Sequence, residues 1–271
     1  LDGSVSLWDV SSGRLLRTIA GHSGPVGSLA CSPDGRFLAT GSFDCSAHLW
    51  VLSTGERTGV LPGHCGTVWA MAFSPDGSLL ATSSEAGFVK IWGEAYSNTW
   101  EWEPLPCARP CGLRAPRQRE LTIRGHNGLV LAFAFSPDVR LLATCSMDHL
   151  AKLWDVQTGE CQGAFRGHTG NVCSAAFSPD GQQLLTGSVD GTARLWGIAA
   201  GTCENVIQSM STSNVRSVGF SPGGTLLAMG SADGAVELWG AASGEYKGEL
   251  KGGSDFDDSQ KAAVTCVTFA A

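Results

Sequence analysis

Residues 21–50 read GHSGPVGSLACSPDGRFLATGSFDCSAHLW, and the same order of markers returns along the rest of the chain. The segment opens with a Gly-His pair, passes a Ser-Pro-Asp-Gly turn and closes on a tryptophan 28 residues after the histidine. Short runs of apolar and small residues, such as 26–31 and 36–40, lie between Gly, Pro and Asp. Such runs with turn residues at each reversal predict an antiparallel meander of short strands.

The markers repeat with a fixed period. Six tryptophans follow one another at spacings of 42, 42, 62, 42 and 43 residues, namely Trp8, Trp50, Trp92, Trp154, Trp196 and Trp239. Gly-His pairs run in step at 21–22, 63–64, 125–126 and 167–168. A period of this length is typical of repeat architectures. Because one four-stranded meander cannot bury both of its faces, we expect consecutive copies to stack on one another.

These jointly spaced markers resemble the WD40 (WD-repeat) family over essentially the whole chain, although only Trp8-Asp9 and Trp154-Asp155 keep the Trp-Asp pair. The resemblance implies an all-β fold, a WD40 β-propeller of four-stranded antiparallel blades. We expect five complete blades, over 21–62, 63–124, 125–166, 167–209 and 210–250. The ends, 1–20 and 262–271, supply a partial sixth, so we expect the chain to be a fragment of a seven-bladed ring that continues at both ends.

The resemblance also implies a buried tetrad of hydrogen-bonded His, Ser or Thr, Asp and Trp in each blade. Counted from the histidine, the spacing assigns serine at +20, aspartate at +22 and tryptophan at +28. Three blades carry the full set: His22, Ser42, Asp44 and Trp50; His126, Ser146, Asp148 and Trp154; His168, Ser188, Asp190 and Trp196. Ala86 replaces the aspartate in one further blade and Ser211 the histidine in another, so we expect both to be less rigid. Because the set recurs with the fold period, we interpret it as structural and not as a hydrolase triad.

In the WD40 family, positions that contact partners lie three and five residues after the histidine and one residue before the aspartate. Here these positions are Pro25, Gly27, Phe43, Thr67, Trp69, Glu85, Leu129, Leu131, Met147, Asn171, Cys173, Val189, Asn214, Arg216 and Ala232. Large apolar side chains fall on three consecutive blades, at Phe43, Trp69, Leu129, Leu131 and Met147. They predict an apolar interaction patch, unless several of them pack against neighbouring loops. Arg216 is the only basic member, so a phosphopeptide reader, which needs clustered arginines, is not favoured.

The 62-residue spacing adds 20 residues between Trp92 and His126, and segment 93–120 departs from the pattern. It holds two tryptophans, four prolines and four arginines. Proline at this density predicts a long exposed loop between the third and fourth strands of its blade. Three interpretations stay open: a bland surface insertion, a recognition loop with aromatic anchors, or an artefact of the gene model. Cys107 and Cys111 lack a second pair of ligands, so no metal site is predicted.

Composition limits the function further. A net charge of −7 does not favour general nucleic-acid binding, and no run approaches the ~18 apolar residues of a membrane helix. Cys31 takes a position that is phenylalanine in other repeats, and Cys161 and Cys203 share another repeat position. We therefore interpret the thiols as buried structural residues, which favours a reducing compartment, the cytoplasm or the nucleus.

The sequence shows no nucleotide loop, metal cluster or nucleophile motif. We therefore predict a non-catalytic scaffold without a cofactor, which binds other proteins on the face that carries the Gly-His loops. An alternative is the sensor or regulatory region of a larger multidomain protein, such as a ubiquitin-ligase subunit or a nucleotide-switched ATPase. An enzyme on the same fold would need ionisable residues outside the repeat positions, and the sequence shows no such cluster.

Overall fold

The computed structural model describes residues 2–93, 119–211, 213–250 and 263–269, and their regular structure is almost entirely β. The strands form five four-stranded antiparallel sheets and one two-stranded sheet, each made of strands consecutive in sequence. The predicted all-β fold of four-stranded antiparallel blades is confirmed. The chain divides into two compact units, Leu1–Gly125 and His126–Ala271.

The first unit holds one two-stranded sheet, β1–β2, and two four-stranded sheets, β3–β6 and β7–β10. Its strands are β1 (Ser4–Trp8), β2 (Leu15–Ala20), β3 (Val26–Cys31), β4 (Phe37–Ser42), β5 (Ala47–Val51), β6 (Arg57–Leu61), β7 (Ala70–Phe73), β8 (Leu79–Ser84), β9 (Phe88–Gly93) and β10 (Arg119–Arg124). A three-residue 3-10 helix, Glu85–Gly87, joins β8 to β9.

The insertion lies where it is predicted, between the third and fourth strands of a sheet. Strand β9 ends at Gly93 and pairs with β10, which begins at Arg119. The last two residues of the predicted loop, 119 and 120, therefore belong to β10 instead. Residues 94–118, with Cys107 and Cys111, lie outside the described residues.

The second unit holds three four-stranded sheets, β11–β14, β15–β18 and β19–β22. Its strands are β11 (Val130–Phe135), β12 (Leu141–Ser146), β13 (Ala151–Asp155), β14 (Cys161–Phe165), β15 (Val172–Phe177), β16 (Gln183–Ser188), β17 (Thr192–Gly197), β18 (Thr202–Gln208), β19 (Val215–Phe220), β20 (Leu226–Ser231), β21 (Val236–Gly240) and β22 (Tyr246–Leu250).

The strand expected over 262–269 is not present as such, since the described part, 263–269, has no strand assignment. A strand needs a ladder of backbone bonds to a neighbour. Here the Val264 N–H donates to the Ser231 carbonyl at 3.0 Å, and the Val267 N–H donates to the Ser217 hydroxyl at 2.9 Å. These contacts attach the segment to the β19–β22 sheet without forming a ladder.

The Ser-Pro-Asp-Gly turn is held by its own side chains. The Ser32 hydroxyl donates to the Asp34 carboxylate at 2.5 Å and accepts the Phe37 N–H at 2.9 Å. Gly35 takes the left-handed conformation, with φ of 69°. In the turn that reads Ser-Pro-Asp-Val, Val139 adopts φ of 59°, a region that a β-branched residue enters only with strain.

The cores lie between successive sheets, and the marker tryptophan packs on the sheet before its own. Trp92 of β9 shares a cluster with Leu49 of β5, and Trp239 of β21 shares one with Leu195 of β17. Trp8 of β1 is 58% exposed, since no sheet precedes β1–β2 among the described residues. Within each unit, this stacking buries the faces that neighbouring sheets turn toward one another, as the repeat pattern predicts.

The prediction that the repeat cysteines are buried is wrong for three of them, because Cys31, Cys161 and Cys203 are exposed. Cys31 ends the first strand of its sheet. In three other sheets a phenylalanine at this position is itself only half-buried, so the shorter thiol stays open to solvent. Among the described cysteines only Cys145 is fully buried.

Candidate functional site

A chain of hydrogen bonds crosses the interior of the β3–β6 sheet. The Trp50 indole N–H donates to the Thr40 hydroxyl at 2.8 Å, and Thr40 lies 2.7 Å from His22 Nε2. His22 Nδ1 lies 3.0 Å from the Asp44 carboxylate. Because the indole can only donate and the carboxylate can only accept, the order of donors runs from tryptophan through threonine and histidine to aspartate. All four polar groups are thereby satisfied, which removes the cost of burying them.

The hydroxyl in this network belongs to threonine at +18 and not to serine at +20, so the predicted membership of Ser42, Ser146 and Ser188 is wrong. Thr144 accepts the Trp154 indole at 2.9 Å and lies 2.7 Å from His126. Thr186 accepts the Trp196 indole at 2.8 Å and lies 2.8 Å from His168. The structure brings the predicted histidine, aspartate and tryptophan together in all three sheets.

The position of each hydroxyl along its strand explains why threonine and not serine bonds to the tryptophan. Thr40 lies inside the β4–β5 ladder, paired with His48 and diagonal to Trp50, whereas the ladder ends at Gly41. Ser42, the last residue of β4, therefore lies beyond the β4–β5 ladder, and its hydroxyl donates to the carbonyls of Pro25 and Gly24 at 2.8 and 3.1 Å. It also accepts the Asp44 N–H at 3.1 Å. The serine shapes the turn that presents the aspartate.

Steric contact explains why glycine precedes the histidine in this sheet. A Cβ on Gly21 would lie 2.7 Å from Cη2 of the Trp50 ring, closer than two carbon atoms can approach. In the β3–β6 sheet, the Gly-His pair and the tryptophan are thus two parts of one contact.

Electrostatics favour an ionised aspartate and a neutral histidine. Burial alone raises the pKa of the Asp44 carboxyl, but hydrogen bonds from Ser46 and Ser23 outweigh it, and the pKa lies well below its ordinary value. The same balance lowers the pKa of Asp190 to about 2. Burial lowers the pKa of His126, and its bond to Asp148 restores only part of the loss. These groups are therefore hydrogen-bonded to one another within their sheets.

Two sheets depart from the pattern. In β7–β10 the Trp92 indole donates to Thr82 at 2.9 Å, and Thr82 lies 3.4 Å from His64. Ala86 stands where the other sheets have an aspartate. The His64 contact is longer than its counterparts, and the lower rigidity expected of this blade stays a prediction.

In β19–β22 a buried carboxylate replaces the histidine and threonine, and this acceptor was not among the predicted residues. Glu237 is 2% exposed. It accepts the Trp239 indole at 3.1 Å, the Ser209 hydroxyl at 2.8 Å and the Ser211 N–H at 3.2 Å. Ser231 donates to Asp233 beside it. The available signal is that Glu237, two residues before its tryptophan, is acidic where all four other sheets have a histidine, lysine or arginine.

The predicted partner-binding residues of the first unit lie in contact. The rings of Phe43 and Trp69 meet edge to face, with centroids 5.3 Å apart. Phe43 is 46% exposed, and Trp69 is half-buried. A Cβ on Gly27 would lie 2.9 Å from Phe43 Cε2, so the glycine leaves room for the ring. An aromatic pair of this kind on the surface is a typical anchor for a partner.

The predicted residues of the second unit are less uniform. The Met147 N–H donates to the Leu129 carbonyl at 2.9 Å, and Met147 is 39% exposed. Leu129 and Leu131 are half-buried. Arg216 is exposed. Burial raises the pKa of the Cys173 thiol, and the positive charge of Arg216 opposes this shift. The described ranges contain no group of three or more His, Cys, Asp or Glu placed to hold a metal ion, and no helix there is long and apolar enough to cross a membrane.

A stack of four-stranded antiparallel sheets, each with its tryptophan hydrogen-bonded inside, defines a repeat protein of the WD type. The family described as "WD domain, G-beta repeat" matches residues 13–51, 55–93, 117–155, 159–197 and 201–240, and the chain belongs to this WD40 family. The sequence repeats are offset from the sheets. Residues 55–93, for example, supply β6 to one sheet and β7–β9 to the next.

Several characterised proteins are similar to this chain. The WD repeat-containing protein SL1-17 of Schistosoma mansoni is 30% identical over 159 residues, 59% of this chain and 46% of that protein. The nuclear distribution protein PAC1 of Arthroderma benhamiae is 27% identical over 182 residues, 59% of this chain and 35% of that protein. A periodic tryptophan protein 2 homolog of Schizosaccharomyces pombe is 26% identical over 156 residues, 58% of this chain and 11% of that protein. The chain thus spans less than half the length of these relatives. WD40 proteins are typically non-catalytic scaffolds for protein interaction, and none of these three names indicates an enzyme.

Proposed function

We propose that this chain is a non-catalytic scaffold that binds other proteins at the sheet ends that carry the Gly-His loops. The contact between Phe43 and Trp69 carries the proposal. Large apolar side chains cost free energy when they face water, and an exposed aromatic pair is stabilised when a partner covers it. Met147 in the second unit offers a further exposed apolar contact.

The polar residues nearby support a binding role over a catalytic one. His22, Asp44 and Ser42 all have partners within the β3–β6 sheet. The same holds for His126 and Asp148 in the second unit. Groups that are held in this way stabilise the sheets and hold the adjacent turns in place.

We further propose that the protein acts inside the cell, in the cytoplasm or the nucleus. Eight cysteines lie among the described residues, and all eight are free thiols. Six of these eight are exposed, namely Cys31, Cys45, Cys65, Cys161, Cys203 and Cys266. Exposed thiols of this kind persist in reducing compartments.

The test begins with proximity labelling in cells to identify partners, followed by affinity measurements with the purified partner. Trp69→Ala combined with Met147→Ala is expected to weaken binding at least about tenfold, because truncating an aromatic anchor removes the centre of an interface. Val60→Ala serves as a matched control, since Val60 is 47% exposed on the outer strand β6. Unchanged affinity in the double variant would remove the proposal.

A further inference from the structure

We propose that the Phe43–Trp69 surface selects a peptide segment in which a lysine or arginine lies close to an apolar side chain, with Glu85 receiving the basic group. This inference rests on the proposed function and names the chemistry of the partner. It is carried by the position of Glu85, by the charges around it and by the exposed Phe43 ring.

The Glu85 side chain lies against the loop that leads into Trp69. A Cβ on Gly66 would lie 2.6 Å from Glu85 Oε2, so the carboxylate rests directly over the backbone three residues before Trp69. Gly66 has φ of 150° and no side chain to displace it. The carboxylate therefore lies next to the loop that carries the Trp69 indole, while Glu85 itself stays exposed.

The charges around this loop are acidic or already engaged. Glu85 is the only ionisable residue among the contact positions of the first unit. Asp44, next to Phe43, is bound to His22 and Ser46. The Lys90 ammonium lies 3.4 Å from the Pro62 carbonyl and 5.2 Å from the centroid of Trp92. An incoming cation therefore meets the carboxylate of Glu85 in a protein whose net charge is −7.

The Phe43–Trp69 pair offers a surface on which the apolar stem of a bound lysine or arginine can pack. Lysine and arginine carry an apolar stem that packs on aromatic surface while the charged head stays in water. A cation close to the face of a ring gains further attraction from the ring electrons. Phe43, which is 46% exposed, offers such surface, and a neighbouring apolar residue of the peptide covers the remainder. An acidic peptide would meet repulsion from Glu85.

The experiment selects peptides from a random phage-displayed library with the purified chain. Peptides enriched on the unaltered chain are expected to combine lysine or arginine with a nearby apolar residue. For the best synthetic peptide, Glu85→Gln is expected to weaken binding about two- to fivefold, as for an exposed ion pair, and high ionic strength should abolish that difference. Glu56→Gln, an exposed carboxylate outside the contact positions, should leave the affinity unchanged.

The outcomes separate the two proposals. This inference is wrong if the peptides bind Phe43→Ala less tightly but contain no excess of lysine or arginine. It is also wrong if their affinity for Glu85→Gln equals that for the unaltered chain. In both cases the interaction surface itself remains supported. Peptides that bind the Phe43→Ala and Trp69→Ala variants as tightly as the unaltered chain overturn the surface itself. Failure to enrich any peptide over the Phe43→Ala variant counts against both.

Discussion

The imidazole of His48 lies parallel to the imidazole of His22, with ring centroids 4.0 Å apart and an interplanar angle of 7°. His22 belongs to the tetrad of the β3–β6 sheet, whereas His48 lies on β5, where its Nε2 is 3.1 Å from the Ser46 hydroxyl. His48 Nδ1 is buried without a hydrogen-bond partner. A positive charge on His48 would place a proton on buried Nδ1 without an acceptor, which would be destabilising.

The stack predicts an acid-sensitive sheet. Burial, followed by the charges of His22 and Arg57, lowers the pKa of His48 to about 4, with Asp44 opposing the shift. Because the folded pKa lies below the unfolded value of about 6.5, the folded state is at full stability above pH 6.5 and loses stability as the pH falls toward 4.

His48→Gln is therefore expected to flatten the dependence of unfolding free energy on pH in that window, by up to about 3 kcal/mol. Denaturant unfolding at several pH values measures the effect. The tetrads of the other sheets are identical in both proteins, so the difference reports the stack of His48 on His22. If the unfolding free energies of the unaltered chain and His48→Gln depended on pH in the same way, His48 would not be the source of the acid sensitivity.

The threonine of the tetrad is open to a direct test. Thr144→Val keeps the volume of the side chain but leaves the Trp154 indole N–H and His126 Nε2 without the hydroxyl they contact. It is expected to lower the unfolding free energy by about 1–3 kcal/mol. Thr82→Val is the matched control. Its histidine contact is already long, at 3.4 Å, so the loss should be smaller. Equal losses at both positions would show that the full network adds nothing.

The turn at Val139 predicts a stabilising substitution. Val139 holds φ of 59°, and Val139→Gly relieves a left-handed valine at an expected gain of about 1 kcal/mol, reduced by the greater freedom of glycine when unfolded. Gly181→Val makes the reverse change in the equivalent turn, where Gly181 has φ of 70°. We expect Val139→Gly to raise the melting temperature and Gly181→Val to lower it. If both variants lowered the melting temperature, the inference that Val139 is strained would be wrong.

The buried carboxylate of the β19–β22 sheet gives a further prediction. Glu237→Leu leaves the indole of Trp239, the hydroxyl of Ser209 and the N–H of Ser211 without their acceptor, and is expected to cost about 2–4 kcal/mol. Lys152→Leu alters the equivalent position beside Trp154, where the side chain is only half-buried, and should cost less. If Glu237→Leu were neutral by denaturant unfolding, the carboxylate would not be the acceptor that holds this sheet.

The spacing of turn and tryptophan markers predicted the strands well, because glycine and proline fix where the chain can reverse. It did not separate Thr40 from Ser42. The two residues lie two apart on a strand and share one face, so only the end of the β4–β5 ladder decides which hydroxyl reaches Trp50. One signal was present: the repeat that replaces its histidine with Ser211 also replaces its threonine, with Met229, yet keeps its serine.

Burial at the strand ends was harder to predict. Cys31 follows the apolar pattern of its repeat yet is exposed, because the position lies at the rim of the sheet. Contact between Phe43 and Trp69 likewise depends on how two neighbouring loops approach, which no period along the chain reports. The patch predicted from sequence therefore reduces, in the first unit, to one aromatic pair.

The offset between sequence repeats and sheets has a consequence for how such genes grow. Because each period gives its outer strand to one sheet and three strands to the next, duplication or loss of one whole period leaves every strand with a suitable neighbour, wherever the breakpoints fall. Added residues that do not make up a whole period have no place in a sheet and must form a loop between two paired strands. The pairing of β9 with β10 across 25 intervening residues shows that the ladder survives such an event.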